Sequence, residues 1–297
     1  MKILTYEVDH KEKVGILSSD GEWVYSLQAI GMDYATMQEA IEGISESEIQ
    51  LLEHSAKLDP YSLSGSAKLE EVKILAPILY PRQDIICLGL NYMEHAKESA
   101  EYARETFGGE HPDAVYFSKR VNRTVSNGEG IPAHADLVDS LDYEVELAVI
   151  IGKDASHVSP EEARSYVFGY TIMNDVSART IQRKHQQWYF GKSLDGFVPM
   201  GPYIVTADTL PYPPKLKIQS RVNGELRQDS NTESLIFGID HVISELSRGM
   251  TLKAGTVIAM GTPAGVGMGF DPPKFLQVGD IVECTIEGIG SIVNPIV

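Results

Sequence analysis

The stretch Leu141-Asp-Tyr-Glu-Val-Glu-Leu-Ala-Val-Ile-Ile-Gly152 predicts a strand that carries two carboxylates and then turns strongly apolar. Side chains alternate between the two faces of a strand, so Glu144 and Glu146 share one face. Two neighbouring carboxylates repel each other unless a cation lies between them. The stretch therefore predicts either one side of a metal site or the solvent-exposed acidic face of a half-buried strand.

The sequence after about residue 70 predicts a mostly β fold. Only a few helical stretches, near 93–106, 160–165, 176–187 and 238–249, interrupt a series of apolar, strand-like runs. These runs cover 72–78, 85–90, 115–117, 143–151, 167–173, 203–206, 216–222, 257–260, 281–286 and 291–293. Strands without a regular alternation with helices favour a β roll or barrel over a doubly wound sheet. The pair Asn223-Gly224 between two runs predicts a hairpin.

Residues 1–68 predict a small N-terminal α/β domain. Short strand-like runs lie at 3–8, 14–17 and 23–27, and a helical pattern follows at 35–57. The segment 58–66 is rich in Pro, Gly and Ser, which is typical of a linker. We therefore place a second, larger domain at 69–297.

Composition excludes several classes of function. The 297 residues include 25 Lys and Arg against 42 Asp and Glu, and the net charge of −17 argues against binding nucleic acid or anionic membranes. No apolar run approaches the roughly 20 residues of a membrane span, and the first residues lack the apolar stretch of a signal peptide. We expect a cytoplasmic protein whose two cysteines, Cys87 and Cys284, are buried thiols.

A third carboxylate, Asp175, follows an apolar strand that ends at Asn174. Asp is a favoured helix N-cap, and helix formers follow it, so a capping role is one interpretation. The other is a ligand at the end of a strand, where side chains can converge. Three oxygen ligands without Cys or His suit Mg²⁺, Mn²⁺ or Ca²⁺ better than Zn²⁺.

Three more segments contain groups that could take part in chemistry. Lys192 lies in a stretch rich in Gly, Pro and aromatic residues, where it is either a surface lysine or a buried counter-charge. His95 and Glu98 are three residues apart, which makes them neighbours on one face of a helix. They are either an ordinary surface pair or a general base with the carboxylate that orients it. The segment Met260–Gly269 is not a P-loop, but its amides and Thr262 could approach a carboxylate.

Together these segments resemble the fumarylacetoacetate hydrolase family, and within it the smaller acylpyruvase-like branch. The match lies in five motifs that occur in one order between residues 70 and 297. They are Gly89-Leu-Asn-Tyr with His95 and Glu98, Asp142-Tyr-Glu-Val-Glu-Leu147, Asn174-Asp-Val-Ser-Ala-Arg179, Gly191-Lys-Ser-Leu-Asp195 with Pro199-Met-Gly-Pro202, and Gly261-Thr-Pro-Ala-Gly-Val-Gly267.

The resemblance implies a fold, an assembly and a set of site residues. The fold is α+β but mostly β: a mixed β-roll catalytic domain over 69–297, usually in a homodimer, behind the small N-terminal domain. Mg²⁺ or Mn²⁺ would be bound by Glu144, Glu146 and Asp175. The catalytic groups would be His95, Glu98 and the metal-adjacent Lys192. The substrate pocket would be lined by Arg179, Gln182 and Thr262, with Lys119 at its edge.

The function that the resemblance implies is metal-dependent C–C bond hydrolysis of a small anionic 2-oxo acid of the acylpyruvate type, through a stabilised enolate. The same chemistry serves an isomerase, tautomerase or decarboxylase acting on oxaloacetate or on hydroxymuconate-type dienoic acids. A non-catalytic metal-binding domain is a further alternative. The segment 96–112, which would form a lid, is longer than in the branch, so substrate specificity does not follow from the resemblance.

Overall fold

The computed structural model describes residues 1–103 and 113–297 and consists mainly of β-strands, as predicted. The strands are β1 (Lys2–Val8), β2 (Lys11–Leu17), β3 (Trp23–Ser26), β4 (Ala67–Lys68), β5 (Lys73–Leu75), β6 (Ile85–Gly89), β7 (Val115–Lys119), β8 (Leu141–Asp142), β9 (Val145–Ile151), β10 (Val167–Asn174), β11 (Ser177–Ala178), β12 (Met200–Thr206), β13 (Lys217–Val222), β14 (Glu225–Asn231), β15 (Val257–Ala259), β16 (Ile281–Ile286) and β17 (Gly290–Pro295). The helices are α1 (Met37–Gly43), α2 (Glu46–Ser55), α3 (Met93–Ala103), α4 (Arg179–Lys184), α5 (Tyr189–Lys192) and α6 (Ile239–Ser247). None of the helices described is long and apolar enough to cross a membrane.

The largest sheet has eleven strands and places β9 near its centre. Its order is β4-β3-β2-β1-β12-β10-β9-β15-β6-β7, and β5 also pairs with β1. All seven residues of β9 are buried, because sheet neighbours flank it on both edges and core side chains cover both faces. A strand buried on both faces is rich in β-branched and aliphatic residues, which explains the run Val-Glu-Leu-Ala-Val-Ile-Ile.

The N-terminal residues belong to the same sheet as the rest of the chain. Strand β1 pairs with β12, with Ile3 opposite Ile204. One hydrophobic cluster also includes Ile3 and Leu52 together with Ile150 and Met200. The division of the chain between residues 68 and 69 stays a prediction. The two segments contribute strands to one sheet and side chains to one hydrophobic cluster.

The predicted helix at 35–57 is two helices, α1 and α2. Ser45 separates them because its side chain accepts a hydrogen bond from the Glu48 amide, while the Glu48 carboxylate accepts one from the Ser45 amide. This reciprocal capping box starts a new helix.

A second sheet, in the order β14-β13-β16-β17, contains the predicted hairpin. Val222 pairs with Glu225, and the two residues between them, Asn223 and Gly224, have φ values of 52° and 82°. Two positive φ values are the signature of a type I′ turn, which matches the twist of the strands. The hairpin prediction is confirmed.

Gly224→Ala should lower the free energy of unfolding by about 1 kcal/mol, because an L-residue is strained in the left-handed region. No other atom lies within 4 Å of the position a Cβ would take at Gly224, so crowding would not contribute. Gly249, which has equally open space and no positive φ, supplies the control Gly249→Ala. Urea denaturation of both variants checks this, and equal effects would contradict it.

Candidate active site

Three carboxylates meet where β9 begins and β10 ends. Oxygen atoms from Glu144, Glu146 and Asp175 all lie within 4.8 Å of one another. The three residues are only 4%, 1% and 0% exposed, respectively. The interpretation of Glu144 and Glu146 as a solvent-exposed acidic face is therefore wrong, because sheet neighbours cover this end of β9.

The backbone geometry that brings these carboxylates together depends on a break in the predicted strand. Strand β8 ends at Asp142 and β9 starts at Val145, so Glu144 lies between them. The Glu144 amide donates to the Asn174 side chain (2.9 Å), and the Asp175 amide donates to the Glu144 carbonyl (2.8 Å). Asp175 is not a helix N-cap, since α4 begins at Arg179 and Ala178 is its N-cap residue.

Three buried cations surround two of the carboxylates. Lys192 Nζ lies 2.7 Å from both Glu144 and Asp175, and Arg179 Nη1 lies 2.6 Å from Glu144. Lys119 pairs with Asp175 and donates to the Val176 carbonyl. Lys192 is the last residue of α5 and is 2% exposed, so it is not a surface lysine.

Glu146 lacks such a counter-charge. Among the residues described, no Lys, Arg or His forms an ion pair with Glu146. Its carboxylate accepts a hydrogen bond from the Gly261 amide (2.8 Å). Burial raises the pKa of Glu146, and the negative charges of Asp175 and Glu144 raise it further. For Glu144, burial acts in the same direction, but Lys192 and Arg179 outweigh it and hold the pKa well below its usual range.

The carboxylate cluster fits a hard divalent cation. Its donors are all oxygens, and Glu146 contributes a buried carboxylate that forms no ion pair within residues 1–103 and 113–297. Mg²⁺ and Mn²⁺ prefer such ligands. The three residues predicted as metal ligands are thus brought together.

The glycine-rich segment Met260–Gly269 holds the carboxylates of the site through its backbone amides. Gly261 donates to Glu146, Gly265 donates to Glu98 (3.0 Å), and the Gly267 and Met268 amides donate to Asp142 (2.6 and 3.0 Å). The predicted approach of these amides to a carboxylate occurs, but the carboxylates are the protein's own. A Cβ at Gly269 would lie 1.7 Å from Glu98 Oε1, which explains a glycine at that position.

His95 and Glu98 form the predicted pair on helix α3. The distance between His95 Nδ1 and Glu98 Oε2 is 3.1 Å, and His95 is 5% exposed. A buried pair of this kind is not an ordinary surface i,i+3 contact. Because Nδ1 contacts Glu98, Nε2 is the ring nitrogen that remains for another partner.

A cavity of about 550 Å³ connects these groups. Of the predicted residues, its walls include His95, Glu144, Glu146, Arg179, Gln182, Lys192 and Thr262. Lys119, predicted at the pocket edge, is completely buried against Asp175 and is not among the lining residues. The predicted lid segment 96–112 is helical to Ala103, and its remaining residues, 104–112, lie outside the described part of the chain.

Two site residues were missed by the sequence analysis. Asp142 accepts hydrogen bonds from the glycine-rich segment and pairs with Arg179 Nε at 2.9 Å, which orients the guanidinium. Its position two residues before Glu144 continues the period-two pattern, so the signal was present. Gln228 on β14 accepts from the Val145 amide (3.1 Å) and donates to Thr262 Oγ1 (2.7 Å). No sequence pattern distinguishes this glutamine from an exposed strand residue.

Comparison with known proteins identifies a family and several relatives. Residues 84–297 match the family model "Fumarylacetoacetate (FAA) hydrolase C-terminal". The chain is 42% identical to oxaloacetate tautomerase YisK of Bacillus subtilis, and the alignment covers 100% of both chains. The structure of a fumarylacetoacetate hydrolase from Exiguobacterium antarcticum is similar with a TM-score of 0.83 and 39% identity, over 100% of this chain and 99% of the other.

A structural neighbour solved with a metal supports the interpretation of the carboxylate cluster. Maleylpyruvate hydrolase from Sphingobium sp. SYK-6, in complex with manganese(II) and pyruvate, is similar with a TM-score of 0.78 and 27% identity, over 100% of this chain and 99% of the other. The fold expected from the sequence resemblance is confirmed by these neighbours.

Glu146→Gln should weaken Mn²⁺ binding by more than about 100-fold. Loss of a residue that only orients a metal ligand costs up to about 100-fold in affinity, and loss of a ligand itself should cost more. The glutamine keeps an acceptor for the Gly261 amide and removes like-charge repulsion, so the metal-free variant should melt no lower than the wild type. Calorimetric Mn²⁺ titration and thermal melts measure both effects. Asp154→Asn, which removes an exposed carboxylate paired with Lys253, is the control and should leave binding unchanged. Wild-type affinity in Glu146→Gln would refute the assignment.

Proposed function

The chain belongs to the fumarylacetoacetate hydrolase family, and we propose that it is a divalent-metal-dependent enzyme that interconverts the keto and enol forms of oxaloacetate. The 42% identity to an oxaloacetate tautomerase over the full length of both chains supports this reaction. The observation that carries the proposal is the inner end of the cavity, where the carboxylate cluster lies beside an incompletely paired arginine. We also propose a homodimer, on the family resemblance alone.

Arg179 provides the group that would bind the carboxylate next to the 2-oxo group. Its Nε contacts Asp142 and its Nη1 contacts Glu144, whereas Nη2 is buried and has no partner among the residues described. A buried guanidinium N–H without a partner is unfavourable unless a ligand accepts its hydrogen bond. The neighbouring Gln182 accepts from Arg179 Nη1 through Oε1 (3.2 Å), so its amide N–H groups are available to the same ligand.

A divalent cation bound by Glu144, Glu146 and Asp175, Mg²⁺ or Mn²⁺ with Ca²⁺ as an alternative, would supply Lewis-acid polarisation of the 2-oxo group. Lys192 lies between Glu144 and Asp175 and faces the cavity, where its charge keeps the inner wall from becoming strongly negative. The manganese(II) of the maleylpyruvate hydrolase complex supports this choice of metal class.

His95 is the group that would move the proton. When Nδ1–H donates to the Glu98 carboxylate, Nε2 is the basic nitrogen. It would take a proton from C3 of the keto acid and return it to the oxygen on C2, so one C–H bond breaks and one O–H bond forms. Gly265 holds Glu98, which in turn holds the imidazole in a single tautomer.

Hydrolysis of a C–C bond in an acylpyruvate is the second candidate function. The same imidazole could take a proton from water, and the similarity to a maleylpyruvate hydrolase favours this alternative. Decarboxylation of oxaloacetate is a third outcome, and it differs from both because it requires no proton abstraction from carbon or water.

His95→Gln should lower the enzyme-dependent rate of oxaloacetate tautomerisation by about 10²–10⁴, the usual effect of removing a general base. The decay of enol absorbance, corrected for the spontaneous rate, measures this reaction. Lys97→Gln is the matched control, because Lys97 lies on the same helix, is half-exposed and forms its ion pair with Glu94 rather than with a residue of the site. The His95→Gln variant should bind Mn²⁺ with the affinity of the wild type.

The same preparations distinguish the alternatives. Pyruvate release from an acylpyruvate and from oxaloacetate reports hydrolysis and decarboxylation, respectively. If the wild type cleaves acylpyruvates but leaves the oxaloacetate enol at its spontaneous rate, the tautomerase proposal is wrong and hydrolysis takes its place. If His95→Gln retains full tautomerase activity, another group moves the proton.

A further inference from the structure

We propose that Arg183 forms an outer anion subsite at the mouth of the cavity and selects 2-oxo acids that carry a second carboxylate. This inference rests on the proposed function, because it specifies the substrate class of the same cavity. It concerns a residue outside the five sequence motifs and outside the inner group of charged side chains.

One face of helix α4 leads from the inner end of the cavity to its mouth. Arg179, Gln182, Arg183 and, just after the helix, Gln186 all line the cavity. Arg179 and Gln182 are buried, whereas Arg183 and Gln186 are exposed. With a rise of 1.5 Å per residue, the four steps from Arg179 to Arg183 cover about 6 Å along the helix axis. The backbone positions of the two arginines are therefore separated along the axis by about the length of a short dicarboxylic acid.

The opposite wall holds the Arg183 side chain across the mouth. Its guanidinium carbon lies 5.1 Å from the centre of the Tyr102 ring on helix α3, and that ring packs edge-on against Phe275 (6.4 Å between centroids). A stacked guanidinium uses its face for the ring and keeps the N–H groups at its edge free for a carboxylate. Stacking thus presents donors without neutralising the charge.

Charge balance at the inner end leaves the second carboxylate without a partner there. Among the residues that the structure describes, the buried carboxylates are Asp142, Glu144, Glu146 and Asp175, and the buried cations are Lys119, Arg179 and Lys192. These fully buried groups, which do not include the partly exposed Glu98, have one net negative charge, so a divalent cation would change it to one net positive charge. That charge matches one carboxylate, namely the one beside the 2-oxo group.

Arg183 is available for the second carboxylate. In residues 1–103 and 113–297 no Asp or Glu forms an ion pair with it, while Lys253, Arg123 and Lys274 on other surfaces all have one. The next residue, Lys184, is also exposed but is not among the residues that line the cavity. Position on the cavity wall, rather than charge alone, separates these two residues.

The test compares two acids of equal length in the Mn²⁺-loaded protein. 2-Oxoglutarate and 2-oxopentanoate differ only in a terminal carboxylate against a methyl group. Calorimetry should show wild-type protein binding 2-oxoglutarate about tenfold more tightly, the lower end for a hydrogen bond to a charged group, since the site is solvent-exposed. Arg183→Gln should remove this preference by weakening 2-oxoglutarate alone.

Lys184→Gln is the matched control and should keep the wild-type preference. An unchanged preference in Arg183→Gln, or an equal loss for both acids, would overturn the subsite. Binding of neither acid to the wild type would overturn it as well. Because the readout is binding, a preference that depends on Arg183 would support the subsite even if oxaloacetate tautomerisation were not accelerated, so the two proposals fail separately.

Discussion

The mutual repulsion of three buried carboxylates is the constraint on which the rest of the site depends. Glu144, Glu146 and Asp175 have oxygen atoms within 4.8 Å of one another and are almost completely buried. Isolated charges in such surroundings are strongly unfavourable, so each needs a partner. Glu144 and Asp175 form ion pairs with Lys119, Arg179 and Lys192. Glu146 accepts a hydrogen bond from the Gly261 amide and forms no ion pair among the residues described. This asymmetry supports the proposed cation site, because a closed salt-bridge network would give each carboxylate a protein counter-charge.

Backbone amides of one short segment link the proposed metal ligands to the proposed proton-transfer pair. The segment Met260–Gly269 contacts Glu146, Glu98 and Asp142 through the amides of Gly261, Gly265 and Gly267, respectively. Through Asp142 it also orients Arg179. A shift of this segment would therefore disturb metal binding, substrate binding and the imidazole together. Its glycines permit the close approach, as the overlap that a Cβ at Gly269 would create with Glu98 illustrates.

The sequence predicted the parts of this protein that depend on local periodicity and missed those that depend on contacts between distant side chains. The spacing of Glu144 and Glu146, the i,i+3 pair on α3 and the Asn-Gly turn are local patterns, and all three occur in the structure. The role of Gln228 could not be predicted from the sequence. Its side chain accepts the hydrogen bond of the Val145 amide, as a neighbouring strand would, from a position more than 80 residues away. The burial of Lys119 behind Asp175 likewise follows only from how β7 packs beside the site.

The pairing of β1 with β12 affects how the chain folds during synthesis. Ile3 leaves the ribosome about 200 residues before its partner Ile204. At a synthesis rate of 5–20 residues per second, the β1 residues that pair with β12, Lys2 and Ile3, are made about 10–40 s before their partners. An unpaired strand edge is a template for association with other chains. Until β12 has been synthesised, this edge of β1 therefore lacks the partner that would cover it, and association with other chains competes with folding during that interval.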